Sequence, residues 1–183
     1  VRAVLAHRAA GVAVVTTRLG EERRGLTVTA WCSVALEPPL VSLLHDYGYT
    51  RKDDPVYLQS FEPSSLQRLR ALTPLALIQL LDETGTPFDA RAAGAPTYDH
   101  LATAASLTHI ATYADGIGPN KERIFARTAG NRMASTPTDL VREAHAAGLL
   151  VHAYTFRAEN HFLPTELRRG TDPNAYGDLE SES

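Results

Sequence analysis

The chain has 183 residues, a formal net charge of −3 and 44% hydrophobic residues, which is enough for one domain with a packed core or for parts of two. The weak negative charge gives no basic field that would argue for nucleic-acid binding, and the single cysteine, Cys32, excludes an internal disulfide and a cysteine-based metal cluster. No apolar run is long enough to predict a membrane span, and His7 and Arg8 interrupt the apolar start of the chain, so no secretory signal is predicted.

The first 43 residues predict antiparallel β structure without helices between the strands. Residues 11–17 are rich in β-branched side chains, and residues 25–34 alternate apolar and polar side chains as a half-exposed strand does. The charged segment 18–24 is predicted as the turn between them. Prolines 38 and 39 break the pattern, and the apolar run 40–44 predicts a third strand.

From residue 45 onwards, predicted strands alternate with helices or long crossovers, and that order indicates a parallel sheet. Ser64 and Ser65 follow a proline and are predicted to cap the first helix, and Gly148 is predicted to end the last one. The polar tail from Arg157 is predicted to be frayed. The predicted strands are residues 56–61, 75–81, 114–118 and 149–156, and the predicted helices are 64–71, 98–113 and 137–147.

Polar side chains cluster where these strands end, and in a parallel barrel that face carries the active site. Gln59 is predicted either to hydrogen-bond a substrate or a metal-bound water, or to be a satisfied rim residue. Lys121 either faces an anionic substrate or is a solvated loop residue. Alternation places His152 and Tyr154 on one face, and Tyr154 is preferred as the pocket-lining residue. The strand-end residues are Gln59, Ser60, Gln79, Asp82, Pro119, Asn120, Lys121, His152, Tyr154 and Arg157.

Five short blocks over residues 44–178 resemble the C-terminal half of the glycerophosphodiester phosphodiesterase family. They are YGYT at 47–50, DDPVYLQSF at 53–61, LIQLL at 77–81, YADGIGPNK at 113–121 and VHAYTFR at 151–157. Ala153 is a departure, because the family commonly has proline there. The resemblance implies an α/β fold in which residues 44–183 supply strands four to seven of a (β/α)8 TIM barrel, preceded by the short antiparallel β segment.

The resemblance also implies hydrolysis of glycerophosphodiesters to an alcohol and glycerol 3-phosphate, with Ca²⁺ or Mg²⁺ and a histidine pair. The family's His-Arg-Gly, Glu-x-Asp and Glu-x-Lys motifs have no counterpart here, so we predict no catalytic residue and no metal ligand in this chain. We predict substrate contacts from Gln59, Phe61, Lys121 and Tyr154, with a small glycerophosphodiester as the ligand. The family occurs inside and outside the cytoplasm, and the cytoplasm is the default expectation for this chain.

Residues 1–43 resemble the opening of a flavin reductase-like, FMN-binding split barrel. The residues that carry this resemblance are AGVAVVTT at 10–17 and GLTVTAWCSVALEPPLVSL at 25–43. The resemblance implies that residues 27–33 run along the flavin and its phosphate. Only the first three strands of that barrel could be present, so FMN binding is not expected.

Three functional hypotheses follow from these resemblances. The first is a phosphodiesterase by ancestry, and the second is an inactive fused or truncated remnant. The third is a flavin-binding module. Half a barrel leaves two unpaired strand edges, which predicts self-association. A Ser-His-Asp hydrolase is disfavoured, because the sequence offers no base partner for Ser60.

Overall fold

A computed structural model of the protein describes residues 13–19, 22–28, 39–90 and 96–182. Its strands form a four-stranded parallel sheet and two small antiparallel hairpins. The strands are β1 (Ala13–Leu19), β2 (Glu22–Val28), β3 (Tyr57–Ser60), β4 (Ala76–Leu81), β5 (Gly116–Pro119), β6 (Arg127–Thr128), β7 (Arg132–Met133) and β8 (Leu150–Val151). The helices are α1 (Pro39–Asp46), α2 (Pro63–Arg70), α3 (Tyr98–Leu101), α4 (Ala104–Ile110) and α5 (Leu140–Ala146).

The parallel sheet has the order β3-β4-β5-β8, and each neighbouring pair is joined by a helical crossover. In register, Leu58 lies opposite Leu77, and Gln79 lies opposite Ile117. This arrangement confirms the alternating strand and helix order predicted from residue 45 onwards. Within the described ranges the sheet has four strands and remains open.

One face of this sheet packs on the helices and forms the main hydrophobic core. Leu66 from α2, together with Leu107 and Ile110 from α4, is fully buried against it. Removing this much apolar surface from water supplies the main favourable free energy of folding. The sheet residues in the core include Leu58, Leu75, Leu77, Leu81, Ile117 and Leu149.

Glycine is required in β5 because its neighbours approach closely. A Cβ atom at Gly116 would lie 2.7 Å from the Leu150 carbonyl oxygen and 2.8 Å from Ile78 Cδ1. At Gly118 the added atom would meet the side chain of Leu80. The block GIGP is therefore a packing requirement of the sheet.

Residues 40–44, predicted as a strand, instead lie in helix α1. A short apolar run does not distinguish a strand from a buried helix. Here Val41 is buried in the core and Leu44, three residues later on the same helix face, packs against it. The first two strands are displaced from their predicted bounds, because β1 ends at Leu19 and β2 begins at Glu22. Residues 11–12 and 29–34 of those predictions lie outside the described residues.

Two helices differ from their predicted bounds. The predicted helix 98–113 is split into α3 and α4, because Thr103 accepts a hydrogen bond from the N–H of Ser106 and starts a new helix. Helix α2 begins at Pro63, so Ser64 and Ser65 are not its caps. The N–H of Ser64 donates instead to Asp89 at 2.9 Å.

The prediction of a long last strand and a frayed tail is wrong. Strand β8 has two residues, and the chain then rejoins the sheet at one bridge between Asn120 and Tyr154. The tail folds back around Asn160, whose Nδ2 donates to the carbonyls of Arg169 and Asp172 at 2.8 Å each. The composition of the tail gives no sign of buried amide hydrogen bonds of this kind. Its polar composition alone therefore predicts a frayed tail.

A buried polar network holds the end of β3 to β4. Gln79 is fully buried, and its Nε2 donates to the Phe61 carbonyl at 2.9 Å while its Oε1 accepts from the Tyr113 hydroxyl at 3.1 Å. Burial, with a smaller contribution from Asp89, raises the pKa of Tyr113 to about 12. The phenol therefore remains a hydrogen-bond donor across the physiological pH range.

A second polar anchor lies at the opposite ends of the strands. Asp115 Oδ2 accepts from the N–H of Leu77 at 2.9 Å and from the guanidinium of Arg70, and Oδ1 lies 2.6 Å from Lys52 Nζ. Burial opposes ionisation of this carboxyl, but the hydrogen bonds and positive charges of its partners outweigh burial and lower the pKa of Asp115. Asp115 thus links β4, β5 and α2.

We predict that Gln79→Met lowers the free energy of unfolding by about 1–3 kcal/mol, since it leaves a buried carbonyl and a buried phenol without partners. Urea denaturation followed by circular dichroism measures the change. Gln67→Met is the matched control, because Gln67 is exposed on α2 and its loss should change stability by less than about 0.5 kcal/mol. Equal effects of the two substitutions would contradict the network.

We predict that Asp115→Asn costs about 1–3 kcal/mol at neutral pH, because the half-buried Arg70 guanidinium and the buried Leu77 amide lose an ionised partner. The pKa of Asp115 is lower in the folded chain, so its stabilisation is present above the ordinary aspartate range and is lost as the pH falls through the folded-state value. The stability difference between wild type and Asp115→Asn should therefore shrink in acid.

Asp139→Asn is the control for this second prediction, since Asp139 forms an exposed ion pair with Arg142 and exposed pairs contribute about 0–1 kcal/mol. Denaturation curves of the three proteins at several pH values supply the test. A pH-independent difference between wild type and Asp115→Asn would show that the carboxylate charge is not what stabilises the sheet.

Candidate functional site

The carboxyl ends of the parallel strands meet at one edge, which we call the strand-end rim (Gln59, Phe61, Leu81, Asn120, Lys121 and Tyr154). The N–H of Asn120 donates to the Leu81 carbonyl at 2.8 Å, and the N–H of Lys121 donates to the Tyr154 carbonyl at 2.7 Å. These backbone hydrogen bonds place β4, β5 and the segment after β8 side by side. Residues 59–60, 119–121 and 152–154 therefore lie at neighbouring strand ends.

The sheet face opposite the helices curves inward. Tyr57 on β3 and His152 after β8 come from the two outermost strands, yet their rings touch edge to face with centroids 4.6 Å apart. Burial lowers the pKa of His152, so the imidazole is neutral at physiological pH. Gln59 is half-buried and alternates with Leu58, so it shares this concave face with Tyr57.

Phe61 and Tyr154 are in contact at the rim. Their rings pack edge to face at 6.0 Å, and the Phe61 ring packs on Tyr98 at 6.1 Å in the same manner. The Tyr154 hydroxyl donates to the Leu81 carbonyl at 3.1 Å. Burial is the main cause that raises the pKa of Tyr154. Both residues thus form a rigid aromatic wall, and their predicted contact with substrate stays a prediction.

Lys121 faces an anion that belongs to the chain itself. Its Nζ lies 2.6 Å from Glu182 Oε2, and Glu182 Oε1 accepts from Arg127 Nη2 at 2.7 Å. The Arg127 Nε donates to Glu122 Oε1 at 3.1 Å. The Glu182 side chain is 3% exposed, and those of Lys121 and Arg127 are 12% and 13% exposed. This buried ion-pair group was missed from the sequence, because Glu182 is 61 residues beyond Lys121.

Other strand-end residues are held by local partners. Gln79 lies in the network described above and is closed to a ligand. The Ser60 hydroxyl donates to Glu62 at 2.9 Å, and Arg157 pairs with Glu159 at 2.6 Å. Gln59 thus remains a polar candidate at the rim, and Lys121 is a second candidate whose ammonium is paired with Glu182.

The described residues do not fit the divalent cation that the resemblance implies. Ca²⁺ and Mg²⁺ take six or more oxygen ligands, and at least one or two of them come from carboxylates that are free to coordinate. The carboxylates of Glu62, Glu122 and Glu182, which lie near the rim, are each engaged by a hydroxyl or a cation. In the part of the chain that the structure describes, no three His, Cys, Asp or Glu side chains are grouped to hold a metal.

Lys121, the rim cation, is paired with Glu182 in this structure, and the described residues do not assemble an acid–base pair on the rim. The same residues contain no helix of the length and apolarity needed to cross a bilayer.

Two of the proteins most similar to this chain are named phosphodiesterases. A glycerophosphodiester phosphodiesterase of Arabidopsis thaliana is 35% identical over 141 residues, or 73% of this chain. A glycerophosphodiester phosphodiesterase of Haemophilus influenzae is 29% identical over 130 residues, or 65% of this chain. The chain spans 36% of the length of each relative.

A short third match concerns a different class of protein. The reductase component of 4-hydroxyphenylacetate 3-monooxygenase from Thermus thermophilus is 64% identical over 39 residues, which is 21% of this chain and 26% of that protein. The flavin contact expected for residues 27–33 falls largely outside the described residues, so the flavin resemblance stays a prediction.

The family comparison covers far more of the chain. The model of the glycerophosphoryl diester phosphodiesterase family matches residues 26–172, which include every strand of the parallel sheet and the whole rim. The division of the chain at residue 44 stays a prediction beside that match. The chain belongs to the glycerophosphoryl diester phosphodiesterase family.

Proposed function

We propose that this chain is the substrate-facing part of a glycerophosphodiester phosphodiesterase barrel. The reaction of the complete barrel is hydrolysis of glycerophosphodiesters to an alcohol and glycerol 3-phosphate, a step of lipid metabolism. The observation that carries the proposal is the curved parallel sheet, whose strand ends bring Gln59 and Lys121 to one rim within the residues matched by the family. In parallel barrels that rim is where substrates bind.

The chain's own residues have distinct tasks in this proposal. Gln59 hydrogen-bonds the glycerol moiety or a phosphodiester oxygen from the concave face. Lys121, once released from its ion pair with Glu182, faces the negative charge of the phosphodiester. Phe61 and Tyr154, held by each other and by the Leu81 carbonyl, form a wall that excludes water and keeps the substrate at the rim.

The divalent cation would stabilise negative charge on the phosphodiester oxygens during attack. The described residues do not supply its ligands, and we assign no step to them through the metal. Our proposal is that the metal ligands and the histidine pair are not among the described residues, which makes a catalytically inactive remnant the alternative to a working enzyme.

We expect glycerophosphocholine to bind the chain without being hydrolysed. Saturation-transfer NMR measures binding, and Gln59→Ala should weaken it several-fold, since a neutral hydrogen bond contributes about 0.5–1.5 kcal/mol. Gln67→Ala, on the exposed face of α2, should leave binding unchanged.

Turnover is followed in the same samples as release of glycerol 3-phosphate with added Ca²⁺ or Mg²⁺, with the Haemophilus influenzae relative as the positive control. No release is expected above the rate without protein. Failure to bind would overturn the assignment of the rim as a substrate surface. Robust, metal-dependent release would overturn the claim that essential groups are not among the described residues.

We also propose that the chain self-associates through the open edge of its sheet. Strand β1 lies close to β3 at one edge. Among the described strands β8 has one neighbour in the sheet, and its residue Leu150 is 46% exposed. An exposed apolar strand at a sheet edge favours pairing with another chain.

Light scattering during gel filtration should therefore give a concentration-dependent mass that rises toward twice the 19.9 kDa of one chain. Leu150→Lys should restore the monomer mass, because a charged edge strand opposes pairing. Leu72→Lys is the control, since Leu72 is 52% exposed outside the strands. A monomer at every concentration tested would refute this edge as a contact surface.

A further inference from the structure

Glu182 occupies a site that the fold builds from distant parts of the chain. Lys121 follows β5, Arg127 begins β6, and Glu182 lies in the tail. The carboxylate is held at 2.6 Å and 2.7 Å by these two cations and is almost completely buried. Charge-assisted hydrogen bonds of this length are the strong ones in proteins.

The group offers more donors than the carboxylate uses. Lys121 Nζ and Arg127 Nη2 bind the two Glu182 oxygens, and Glu122 takes the Arg127 Nε. The remaining guanidinium nitrogen, Nη1, is buried and has no hydrogen-bond partner among the residues that the structure describes. A buried donor without an acceptor is unfavourable. The Glu182 carboxylate provides no acceptor for Arg127 Nη1, so the site favours a ligand with an additional acceptor oxygen.

A phosphate group supplies that acceptor. It has more oxygens than a carboxylate, arranged tetrahedrally, and arginine binds phosphate through two parallel N–H donors. Lys121 and Arg127 carry two positive charges against one negative charge on Glu122, so displacing Glu182 leaves a net positive site. Phe156, whose ring centroid is 5.7 Å from Lys121 Nζ, provides an apolar wall beside it.

We propose that Lys121 and Arg127 form a phosphate-binding site that Glu182 fills in the ligand-free chain. Glu182 lies in a turn closed on itself by the hydrogen bond from its N–H to the Leu179 carbonyl. In the described part of the chain the hydrogen bonds of the parallel sheet do not involve this turn, and in our proposal Glu182 leaves the site when phosphate enters. The tail then competes with phosphate for Lys121 and Arg127. This competition does not depend on whether the chain hydrolyses a diester.

Isothermal titration calorimetry with inorganic phosphate, and in parallel with glycerol 3-phosphate, tests the proposal at constant ionic strength. Glu182→Gln should bind both about tenfold more tightly than wild type, because the competing charge is removed. Glu180→Gln makes the same charge change two residues away and should bind as wild type does. Adding Lys121→Met to Glu182→Gln should weaken binding about tenfold, since it removes a charged donor.

The outcomes separate cleanly. Equal affinities of Glu182→Gln and Glu180→Gln would overturn the competition, and binding that survives Lys121→Met would place the phosphate elsewhere. Comparison of the two dissociation constants shows whether the site prefers inorganic phosphate or the phosphate ester glycerol 3-phosphate. If Glu182→Gln does not fold, NMR of the wild type decides the question. Phosphate, but not chloride, should shift the Glu182 amide resonance, and an unmoved resonance at saturating phosphate would overturn the proposal.

Discussion

The complete burial of β4 is the constraint on which the rest of the structure depends. All six residues of Ala76–Leu81 are buried, so the strand needs a neighbour on each side, helices on one face and packed side chains on the other. A polar side chain on such a strand must be satisfied inside the protein. Gln79 meets this demand through Tyr113 and the Phe61 carbonyl, and these contacts also fix where β3 ends.

The geometry of the rim follows from that constraint. Once β3 and β5 are fixed against β4, the carboxyl ends of the strands must lie at one edge, with Lys121 next to Tyr154. The edge is held by aromatic packing and backbone hydrogen bonds, so its shape does not depend on a bound ligand. In our proposal a ligand changes the ion-pair group of Lys121, Arg127 and Glu182, which is held together by charge.

The sequence predicted correctly those elements of the fold that are specified by local patterns of residues. The order of strands and helices after residue 45 follows from local apolar runs and breakers, and the described sheet confirms it. Residues 40–44 were misassigned because five apolar residues fit a strand or a helix, and only the contacts of Val41 and Leu44 with the core select the helix. The split between α3 and α4 depends on one hydroxyl, that of Thr103, within a pattern that otherwise reads as continuous helix.

By itself the sequence determined the family of this chain, the parallel order of its strands and which residues stand at strand ends. It did not determine which of those residues are open to a ligand. Gln79 and Lys121 both come at or near a strand end, yet one is closed in a buried network and the other pairs with the tail. The reason is that hydrogen bonds and ion pairs between residues far apart in the chain leave no periodic signal. Only the tertiary structure brings Glu182 to Lys121 and Arg127, and so only the tertiary structure decides the occupant of the site.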